Sequence, residues 1–389
     1  MAPPRQSVLI LGAFGTFGRL ITDALAQSTD LPLIAAGRHL PDAAPKFRPG
    51  IRTLAIDSND LSAAALEKLG PALVIDTVGP FQTRDRRLAR VCVGLGIHYL
   101  DLADGREFVQ SVGDLDAAAV AHDVLVVSGA STVPALSSAV IENLTAAFSE
   151  VEEIDIGIAP AYSGPKGLAT IRSVLGYVGR TIPVWRQANM GCARGWGDTT
   201  RHRYPPPVGR RNLSLIDVPD TSLIPPRYPG LRQLSIRAGH EVPLVHHALR
   251  FLGVLVRIGL IRNLAGHARM MQRMAGWFDG LGSNSGAMHV RLRGRSHGCM
   301  QSRTWTLIAE NGDGPRIPTL AAVLLAKKLL NVPGYAPMVL RGATPASNLL
   351  TLREFEREWR SLAIRTCVTD EASLNLTRDA FDDQNAALR

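Results

Sequence analysis

The sequence predicts an α/β fold in which an N-terminal parallel sheet is followed by a second, α+β domain. The first third of the chain alternates short, continuously apolar runs with helical segments. That alternation is typical of a parallel sheet covered by helices on both faces. After Gly129 the rhythm changes, and strands and helices are mixed without the regular alternation. We therefore expect the second domain to be α+β.

The predicted elements follow from the positions of the apolar runs. Six strands are expected at residues 7–11, 31–36, 51–56, 72–77, 98–102 and 124–128, with helices at 19–27, 61–69, 85–95 and 108–122. Later helices are expected at 134–148, 318–330 and 351–362, a strand at 151–159, and an antiparallel pair of strands at 288–294 and 304–310. Residues 160–245 show no simple period, and roughly the last 25 residues are expected to be weakly ordered.

The composition is that of a globular protein of 389 residues, with 46% hydrophobic and 20% charged residues. The formal net charge of +9 is spread along the chain. Neither interleaved aromatic residues nor a nucleic-acid motif accompanies it, so we expect no nucleic-acid partner. The basic charge is interpreted as a solvated surface or as an attraction for an anionic ligand.

The chain offers no strong signal for export or for a membrane span. Its first apolar run is too short for a signal peptide, and a cytoplasmic location is expected. Residues 249–265 are apolar but are interrupted by Arg250, Arg257 and Arg262, so a spanning helix is not expected. A partly buried amphipathic helix is the favoured interpretation, and peripheral membrane contact is the alternative. The four scattered cysteines indicate buried or incidental thiols.

A glycine-rich loop, G-A-F-G-T-F-G, separates the first predicted strand from the first predicted helix. Gly12 permits a tight turn, Gly15 lets the backbone approach a pyrophosphate, and Gly18 allows close packing of helix on strand. The spacing is G-x-x-G-x-x-G, with Phe14 at the place of the usual second glycine. In this context we expect a dinucleotide-binding Rossmann domain; a turn kept only for packing is the alternative. The predicted contacts are Gly12, Ala13, Phe14, Gly15, Thr16, Phe17 and Gly18.

The end of the second strand predicts which dinucleotide binds. A site for NAD places an acidic residue about 20 residues beyond the loop, where it accepts from the ribose 2′-hydroxyl. Here the segment A-G-R ends in Arg38, whose guanidinium suits a 2′-phosphate. We therefore favour NADP(H) over NAD(H), with a surface arginine as the alternative.

Two further segments are candidates for cofactor contact. Asp57 follows the third strand, where it would face the adenine or serve as a turn residue. Val78, Gly79, Pro80 and Phe81 follow the fourth strand, where a backbone turn would run beside the nicotinamide ribose. A purely structural turn is the alternative for this second segment.

In combination these motifs resemble the saccharopine dehydrogenase-like oxidoreductases. The resemblance is carried by the glycine loop, by A-A-G-R at the second strand, by D-T-V-G-P-F-Q at 76–82 and by G-I-H-Y-L-D-L-A-D-G-R-E-F at 96–108. It continues through S-G-A-S-T-V-P-A-L-S-S at 128–138 and G-A-T-P-A-S-N-L-L-T-L-R-E-F-E at 342–356. It therefore extends over most of the chain.

The resemblance implies a domain organisation and a reaction class. The expected domains are an NAD(P)-binding Rossmann domain at 1–130, an α+β domain for substrate or dimerisation at 131–350, and a segment at 351–389 that packs back on the first domain. The implied reaction is NAD(P)-linked oxidation of a secondary amine, or its reductive formation. Basic residues that would hold several substrate carboxylates are not found by sequence matching, and the resemblance leaves the substrate open.

Catalytic candidates follow the fifth strand, because ligands of such sheets bind beyond the carboxyl ends of the strands. Asp101 or Glu107 would orient a substrate amine or relay a proton, and Arg106 would pair with a substrate carboxylate. The alternative is a helix-capping set, since Asp104 and Glu107 are three residues apart.

Ser131 and Thr132 follow the sixth strand, where they would touch nicotinamide or substrate or cap the next helix. Four residues in glycine-flanked contexts of the second domain line a cleft or simply serve a turn; they are Lys166, Thr170, Trp196 and His240. No metal-ligand spacing and no nucleophile-elbow motif occurs, so neither a catalytic metal nor a serine hydrolase is expected.

The sequence thus predicts an NADP-dependent oxidoreductase that transfers a hydride at a C–N or C–O bond of a small or moderately apolar substrate. The alternative is a non-catalytic NADP-binding or peripheral membrane protein on the same fold. A weaker hypothesis is lipid or polyketide tailoring, based on the apolar segment 249–265. A homodimer is one option for the assembly.

Overall fold

The structure, a computed structural model, describes residues 6–40, 47–164 and 167–372. Its first sheet contains seven parallel strands in the order β15-β6-β5-β4-β1-β2-β3. They are β1 (Val8–Leu11), β2 (Leu33–Gly37), β3 (Arg52–Ala55), β4 (Leu73–Asp76), β5 (His98–Asp101), β6 (Leu125–Ser128) and, from late in the chain, β15 (Gly342–Pro345). This is the Rossmann order with one added edge strand. The six predicted strands are confirmed to within two residues.

The second sheet is mixed, and its main path runs β10-β11-β12-β7-β13-β14-β16, with β8 and β9 branching from β12. Its strands are β7 (Glu150–Ala159), β8 (Thr181–Arg186), β9 (Asn189–Arg194), β10 (Thr200–Arg203), β11 (Arg210–Leu215), β12 (Gln233–Ala238), β13 (Gly286–Ser296), β14 (Cys299–Ala309) and β16 (Ile364–Ala372). The predicted antiparallel pair is confirmed as β13 and β14. The fold class, a Rossmann-type sheet with a second α+β domain, is therefore confirmed.

The helices alternate with these strands and are α1 (Thr16–Ser28), α2 (Ala63–Leu69), α3 (Arg87–Gly94), α4 (Arg106–Gln110), α5 (Asp116–Ala121), α6 (Ser137–Thr145), α7 (Leu168–Tyr177), α8 (Asp220–Leu223), α9 (Pro243–Arg257), α10 (Ala268–Gly276), α11 (Ile317–Leu329) and α12 (Leu352–Glu358). The prediction of one continuous helix at 108–122 is wrong. A 3-10 turn at Ser111–Leu115 separates α4 from α5.

Both faces of the first sheet are buried, as the continuously apolar strands predict. Along β1, Val8 and Ile10 point into one core, whereas Leu9 and Leu11 point into another. The first core contains side chains of α1, α6 and α11, and the second those of α2, α3 and α5. Successive side chains of a strand alternate between faces, so one short apolar run stabilises both layers.

The first of these cores continues into the second sheet without interruption. It includes Ile156 of β7, Ile236 of β12 and Leu307 of β14, together with apolar residues of the first sheet. The helix α6 packs on β13 and β14, and α11 packs on α1 and α12. The two sheets are therefore held to each other by a shared apolar core.

The end of the chain departs from prediction in two ways. The strand that joins the first sheet is β15, which pairs with β6 from residues assigned to the second domain. The strand β16, from the segment expected to pack back on the first domain, instead extends the second sheet beside β14. Order was not expected after residue 364, yet β16 continues to Ala372; residues 373–389 lie outside the described residues. The domain boundaries themselves stay a prediction.

The amphipathic helix predicted near 249–265 is confirmed as α9, although it begins earlier, at Pro243. One side of it packs against the shared core through Leu249 and Leu252, while Phe251 and Val254 are exposed. Within the described ranges, no helix is both long and apolar enough to cross a membrane.

A hydrogen bond to a buried carboxyl group connects α8 to the start of α6. Ser137 at the first position of α6 donates a hydrogen bond to Asp220 of α8, and both side chains are buried. Burial raises the pKa of Asp220 to about 7, because the charged form loses its hydration, although the bond from Ser137 opposes this.

The raised pKa of Asp220 predicts a pH-dependent stability. A carboxyl group whose pKa is higher in the folded state favours folding most below its unfolded pKa of 3.8. That contribution is lost as the pH rises through about 7. Asp220→Asn, which cannot ionise, should therefore gain stability relative to the wild type between pH 5 and pH 8.

Urea unfolding of both proteins at the two pH values measures this difference. The exposed Asp30→Asn is the matched control, and its difference from the wild type should stay nearly constant with pH. An equal effect of Asp220→Asn at both pH values would contradict the assignment.

Candidate functional site

The glycine loop has the tight geometry that its position requires. Gly12 has a φ of +76°, and a Cβ there would lie 2.6 Å from Oγ1 of Thr77. A Cβ on Gly18 would lie 2.2 Å from the carbonyl oxygen of Gly12. Both positions therefore exclude a side chain. At Gly12 the positive φ disfavours a side chain in addition to the steric conflict, and at Gly18 the close approach of α1 to the loop leaves no room.

Gly15 has a different role from the other two glycines. Its φ of −82° is open to any residue, and a Cβ there would meet only the carbonyl oxygen of Gly12, at 3.1 Å. It is exposed at the N-cap of α1, where no side chain caps the helix and no acidic residue stands in the first turn. The first N–H groups of a helix have no intrahelical acceptor, so this end of α1 suits an anion.

Two predicted loop contacts face away from the helix end. The Ala13 side chain is fully buried in the shared core, so only its backbone remains for a ligand. Phe14 packs on Phe47, with 5.8 Å between ring centroids, and covers Gly37 at the end of β2. Thr16 and Phe17, by contrast, face the cavity described below.

Arg38 directly follows β2 and is exposed beside the loop. No hydrogen bond or ion pair of its side chain occurs with residues 6–40, 47–164 or 167–372. Its guanidinium is thus accessible to a ligand phosphate. Asp57 accepts a hydrogen bond from the backbone N–H of Asn59, at 2.9 Å, as a turn residue does. Contact of Asp57 with adenine stays a prediction.

The turn after β4 is held by an arginine that the sequence analysis did not select. Arg84 forms a 2.8 Å ion pair with the buried carboxylate of Asp76 and donates to the carbonyl oxygen of Val78, at 2.7 Å. Asp76 in turn accepts from the N–H of Val78 and from the hydroxyl of Tyr99. The one sequence signal for Arg84 is its spacing from Asp76, and that spacing does not correspond to a known motif. The backbone of Val78 is consequently fixed at the strand end.

The remaining residues of that turn divide between the surface and the core. Gly79 lies against Ala169 of α7, since a Cβ on Gly79 would be 3.1 Å from the Ala169 Cβ. Pro80 follows it through a cis peptide bond. Phe81 is buried against Phe108, with 5.3 Å between ring centroids, so only its backbone remains for the predicted cofactor contact, which stays a prediction.

Asp101 does not face a cleft. Its side chain is 0% exposed and accepts hydrogen bonds from the hydroxyl of Ser128 and from the N–H groups of Ala103 and Gly129. Burial raises its pKa to about 6, against these bonds. Since no substrate atom can reach it, the predicted catalytic role of Asp101 is corrected to a structural one that joins the ends of β5 and β6.

Arg106 and Glu107 also differ from their predicted roles. The guanidinium of Arg106 donates to the carboxylate of Asp217, at 2.9 Å, and so links α4 to the second domain. A substrate carboxylate would have to displace this partner. The side chain of Glu107 is 88% exposed. Both residues lie outside the cavity wall, so the structure does not bring the predicted catalytic set together.

Three polar side chains, Asp104, Gln82 and Ser173, form hydrogen bonds that connect the two domains above the strand ends. Asp104 accepts from Gln82, at 3.0 Å, and from the hydroxyl of Ser173 in α7, at 2.6 Å. Burial raises the pKa of Asp104, whereas the two hydrogen bonds lower it. Together with the contact at Gly79, they place α7 over the carboxyl end of the first sheet.

A cavity of about 590 Å³ opens where the two domains meet, and we call it the interdomain cavity. Its first-domain wall is Thr16 and Phe17 of α1 and Thr132 after β6. Its remaining wall comes from α7, α9, α10, β13 and neighbouring loops and is mostly aliphatic, aromatic or glycine. No Lys, Arg, Asp or Glu occurs among the described residues that line it.

Two titratable side chains line the described part of this cavity, His240 and Tyr162. His240 lies 5.5 Å from the ring of Trp196 and 6.3 Å from that of Tyr162. The hydroxyl of Tyr162 donates to the carbonyl oxygen of Ala275, at 2.8 Å. The predicted cleft residues Thr132, Thr170 and His240 thus share one cavity, while Trp196 is buried behind it. Lys166 lies outside the described residues.

Metal centres and reactive thiols are the other kinds of candidate site. Within the described ranges, no cluster of three His, Cys, Asp or Glu side chains could hold a metal ion. The cysteines are free thiols, with Cys92 buried and Cys192, Cys299 and Cys367 exposed.

Comparison with known proteins identifies the first domain. Residues 8–142 match the family described as the saccharopine dehydrogenase NADP binding domain. This part of the chain is therefore similar to an NAD(P)-binding domain, and the remainder of the chain lies outside the match. A comparison with curated proteins finds no match.

The solved structures that the chain matches are similar to it only at a distance. An amine dehydrogenase from Mycobacterium smegmatis is 13% identical, with 90% of this chain and 97% of that chain covered and a TM-score of 0.44. A dehydrogenase from Chromobacterium violaceum is 11% identical over 100% of both chains, with a TM-score of 0.43. The UDP-N-acetylglucosamine 3-dehydrogenase GnnA from Acidithiobacillus ferrooxidans is 12% identical over 87% of this chain and 92% of that chain, with a TM-score of 0.41.

The loop geometry predicts that two glycine substitutions separate stability from binding. Gly18→Ala places a Cβ against backbone that cannot move, and should lower the free energy of unfolding by about 2–3 kcal/mol. Gly15→Val should cost only about 1 kcal/mol, because the backbone there is extended. It should nevertheless abolish NADPH binding by filling the exposed face of the loop.

Urea unfolding and calorimetric titration with NADPH measure both effects. If Gly15→Val bound NADPH like the wild type, the loop would be a packing turn only. If Gly18→Ala kept full stability, the close approach of α1 to the loop would be wrong.

Proposed function

We propose that the protein is an NADP-dependent oxidoreductase that transfers a hydride at a C–N or C–O bond of a largely apolar substrate. The observation that carries this proposal is the interdomain cavity, whose wall includes the first turn of the nucleotide-binding helix. Thr16 and Phe17 belong both to the glycine loop region and to that wall. A substrate in the cavity would therefore adjoin the bound nucleotide.

The residues at the strand ends fit a dinucleotide. The uncapped end of α1 offers N–H groups to a pyrophosphate, Arg38 offers a guanidinium to a 2′-phosphate, and the fixed turn at Val78–Pro80 offers backbone along the sheet edge. When bound, NADP(H) supplies or accepts the hydride. The protein's own contribution is to hold both reactants, exclude water and manage one proton.

The cavity wall supports an apolar substrate over a polycarboxylate. Its described lining residues include no Lys or Arg side chain to neutralise a carboxylate. An uncompensated charge in such surroundings is costly to bury. A substrate with an aliphatic or aromatic body would instead gain from burial against side chains such as Leu249, Leu252 and Phe278.

We propose that His240 donates or accepts the proton that accompanies hydride transfer. Unlike the carboxylates after β5, its ring lines the cavity, and imidazole exchanges protons near neutral pH. The neighbouring rings of Tyr162 and Trp196 restrict its orientation. Tyr162 is the weaker candidate, because burial raises the pKa of its hydroxyl above the usual value.

Arg38→Asp tests the choice of nucleotide. The variant loses a charge-assisted contact worth about 1.5–3 kcal/mol and gains repulsion with the 2′-phosphate. The dissociation constant for NADPH should rise roughly tenfold to a hundredfold. The constant for NADH should stay equal or fall, because an acidic residue can accept from a ribose hydroxyl.

Calorimetric titration with both nucleotides measures these constants. Arg353→Asp, an exposed arginine on α12, is the control for a general change in charge. Equal losses for NADPH and NADH, or none for either, would mean that Arg38 does not contact the 2′-phosphate.

His240→Gln tests the proton assignment. Removal of a general acid or base typically lowers kcat about 10²- to 10⁴-fold. NADPH affinity should be unchanged, since His240 lies on the second-domain side of the cavity. The pH dependence of kcat should also lose one limb.

Turnover is followed by NADPH absorbance with apolar aldehydes or ketones and an amine donor. His247→Gln, an exposed histidine on α9 outside the cavity wall, should keep wild-type kcat. A normal pH profile in His240→Gln would transfer the role to another group. NADPH binding without turnover across the panel would favour a non-catalytic nucleotide-binding protein.

A further inference from the structure

The outer sides of α9 and α10 expose large apolar side chains. On α9 and its end they recur at helical spacing, as do those on α10 and the turn after it. We call these residues the α9–α10 face: Leu244, Phe251, Val254, Ile258, Leu260, Met270, Met274, Trp277 and Leu281. Trp277 is 77% exposed, whereas buried positions are usual for such a residue. A group of this size marks an interaction surface rather than scattered exposure.

Exposed basic residues occur in the same segment of the chain as this face. Arg250, Arg257, Arg262, Arg269 and Arg273 are all exposed within residues 243–281. No ion pair of these five side chains occurs with the described residues, and Asp279 is the single acidic residue in the same stretch of sequence. The segment therefore combines an apolar surface with a net positive charge.

The face borders the opening of the interdomain cavity. Leu244 of α9 and Met274 of α10 are exposed and also line the cavity. The inner sides of the same helices, through Val245, Leu249 and Met271, form the cavity wall. An apolar molecule could thus pass from a surface that covers this face into the cavity without crossing water.

We propose that the α9–α10 face docks on an anionic lipid membrane. An amphipathic helix pair of this kind lies in the plane of the interface, with Trp, Phe and Leu below the headgroups and arginines among them. Each basic residue near an anionic surface contributes attraction that salt screens. The proposal goes beyond the oxidoreductase activity, and its test requires neither nucleotide nor turnover.

A second copy of the chain fits this face less well. In a two-fold contact the same patch meets itself, so the five arginines of one copy would face those of the other. Repulsion of that kind opposes association, whereas anionic headgroups neutralise the same charges. Self-association through this face is tested below as a separate outcome.

Vesicle co-sedimentation of the full chain tests the proposal. The wild type should bind vesicles of phosphatidylglycerol mixed with phosphatidylcholine, and bind vesicles of phosphatidylcholine alone at least tenfold more weakly. Raising the salt concentration should weaken the binding. Arg257→Glu with Arg269→Glu should lower the affinity at least tenfold. The equal charge change of Arg353→Glu with Arg360→Glu, on and after α12, should lower it much less.

Tryptophan fluorescence tests which surface enters the lipid. Brominated lipid should quench the wild type on binding, and Trp277→Phe should lose most of that quenching while still binding. Phe251→Ser with Leu281→Ser should reduce binding at least tenfold, whereas Val339→Ser, at an 84% exposed position elsewhere, should not.

Three results would overturn the proposal. One is absence of binding to anionic vesicles by folded protein. Another is binding that Phe251→Ser with Leu281→Ser leaves unchanged. The third is a concentration-dependent dimer, seen by sedimentation, that these substitutions dissociate while vesicles are not bound; it would assign the face to a protein contact instead.

Discussion

Burial of α6 and α11 in one apolar core shared by both sheets is the constraint on which the rest of the structure depends. A parallel sheet needs helices on both faces, and here one of those layers also covers the second sheet through the contact of α6 with β13 and β14. α11 is buried almost all round, and even Lys327 within it is buried against Glu358 of α12, at 2.8 Å. A chain packed in this way cannot separate its domains without exposing the shared core. The carboxyl end of the first sheet consequently lies beside the second domain.

That arrangement decides which side chains can do chemistry. The polar groups nearest the strand ends already have partners within the protein. Asp76 pairs with Arg84, Asp101 accepts a hydrogen bond from Ser128, and Arg106 pairs with Asp217. Each buried charge needs a partner, and these partners hold turns and the domain contact in place. Accessible among the described residues near these strand ends are backbone at the glycine loop, the exposed Arg38, and a cavity whose described wall has no Lys, Arg, Asp or Glu. A hydride-transfer site needs little else, because the cofactor carries the chemistry.

Much of the fold, but little of the substrate site, could be predicted from the sequence. Local patterns specify β1 to β6, since each is a short apolar run between turn signals. β15 could not be found this way, because G-A-T-P has no strand pattern and becomes a strand only by pairing with β6. The strands between residues 181 and 238 were missed for a similar reason, as β9 and β10 are short, Arg-containing and largely exposed. Asp101, Arg106 and Glu107 were sought after the correct strand, but sequence position cannot tell a buried or paired group from an accessible one. His240 was noticed only for its glycine-flanked context, and its place in the cavity depends on the tertiary fold.

The central claim is that the nucleotide on the glycine loop presents its reactive end to the interdomain cavity. A crystal structure of the full chain with NADP⁺ tests it most directly. We expect pyrophosphate density at the N–H groups of Thr16 and Phe17, the 2′-phosphate at Arg38, and the nicotinamide ring facing Thr132 and the apolar wall. A nicotinamide turned away from the cavity, or nucleotide density away from the loop, would contradict it.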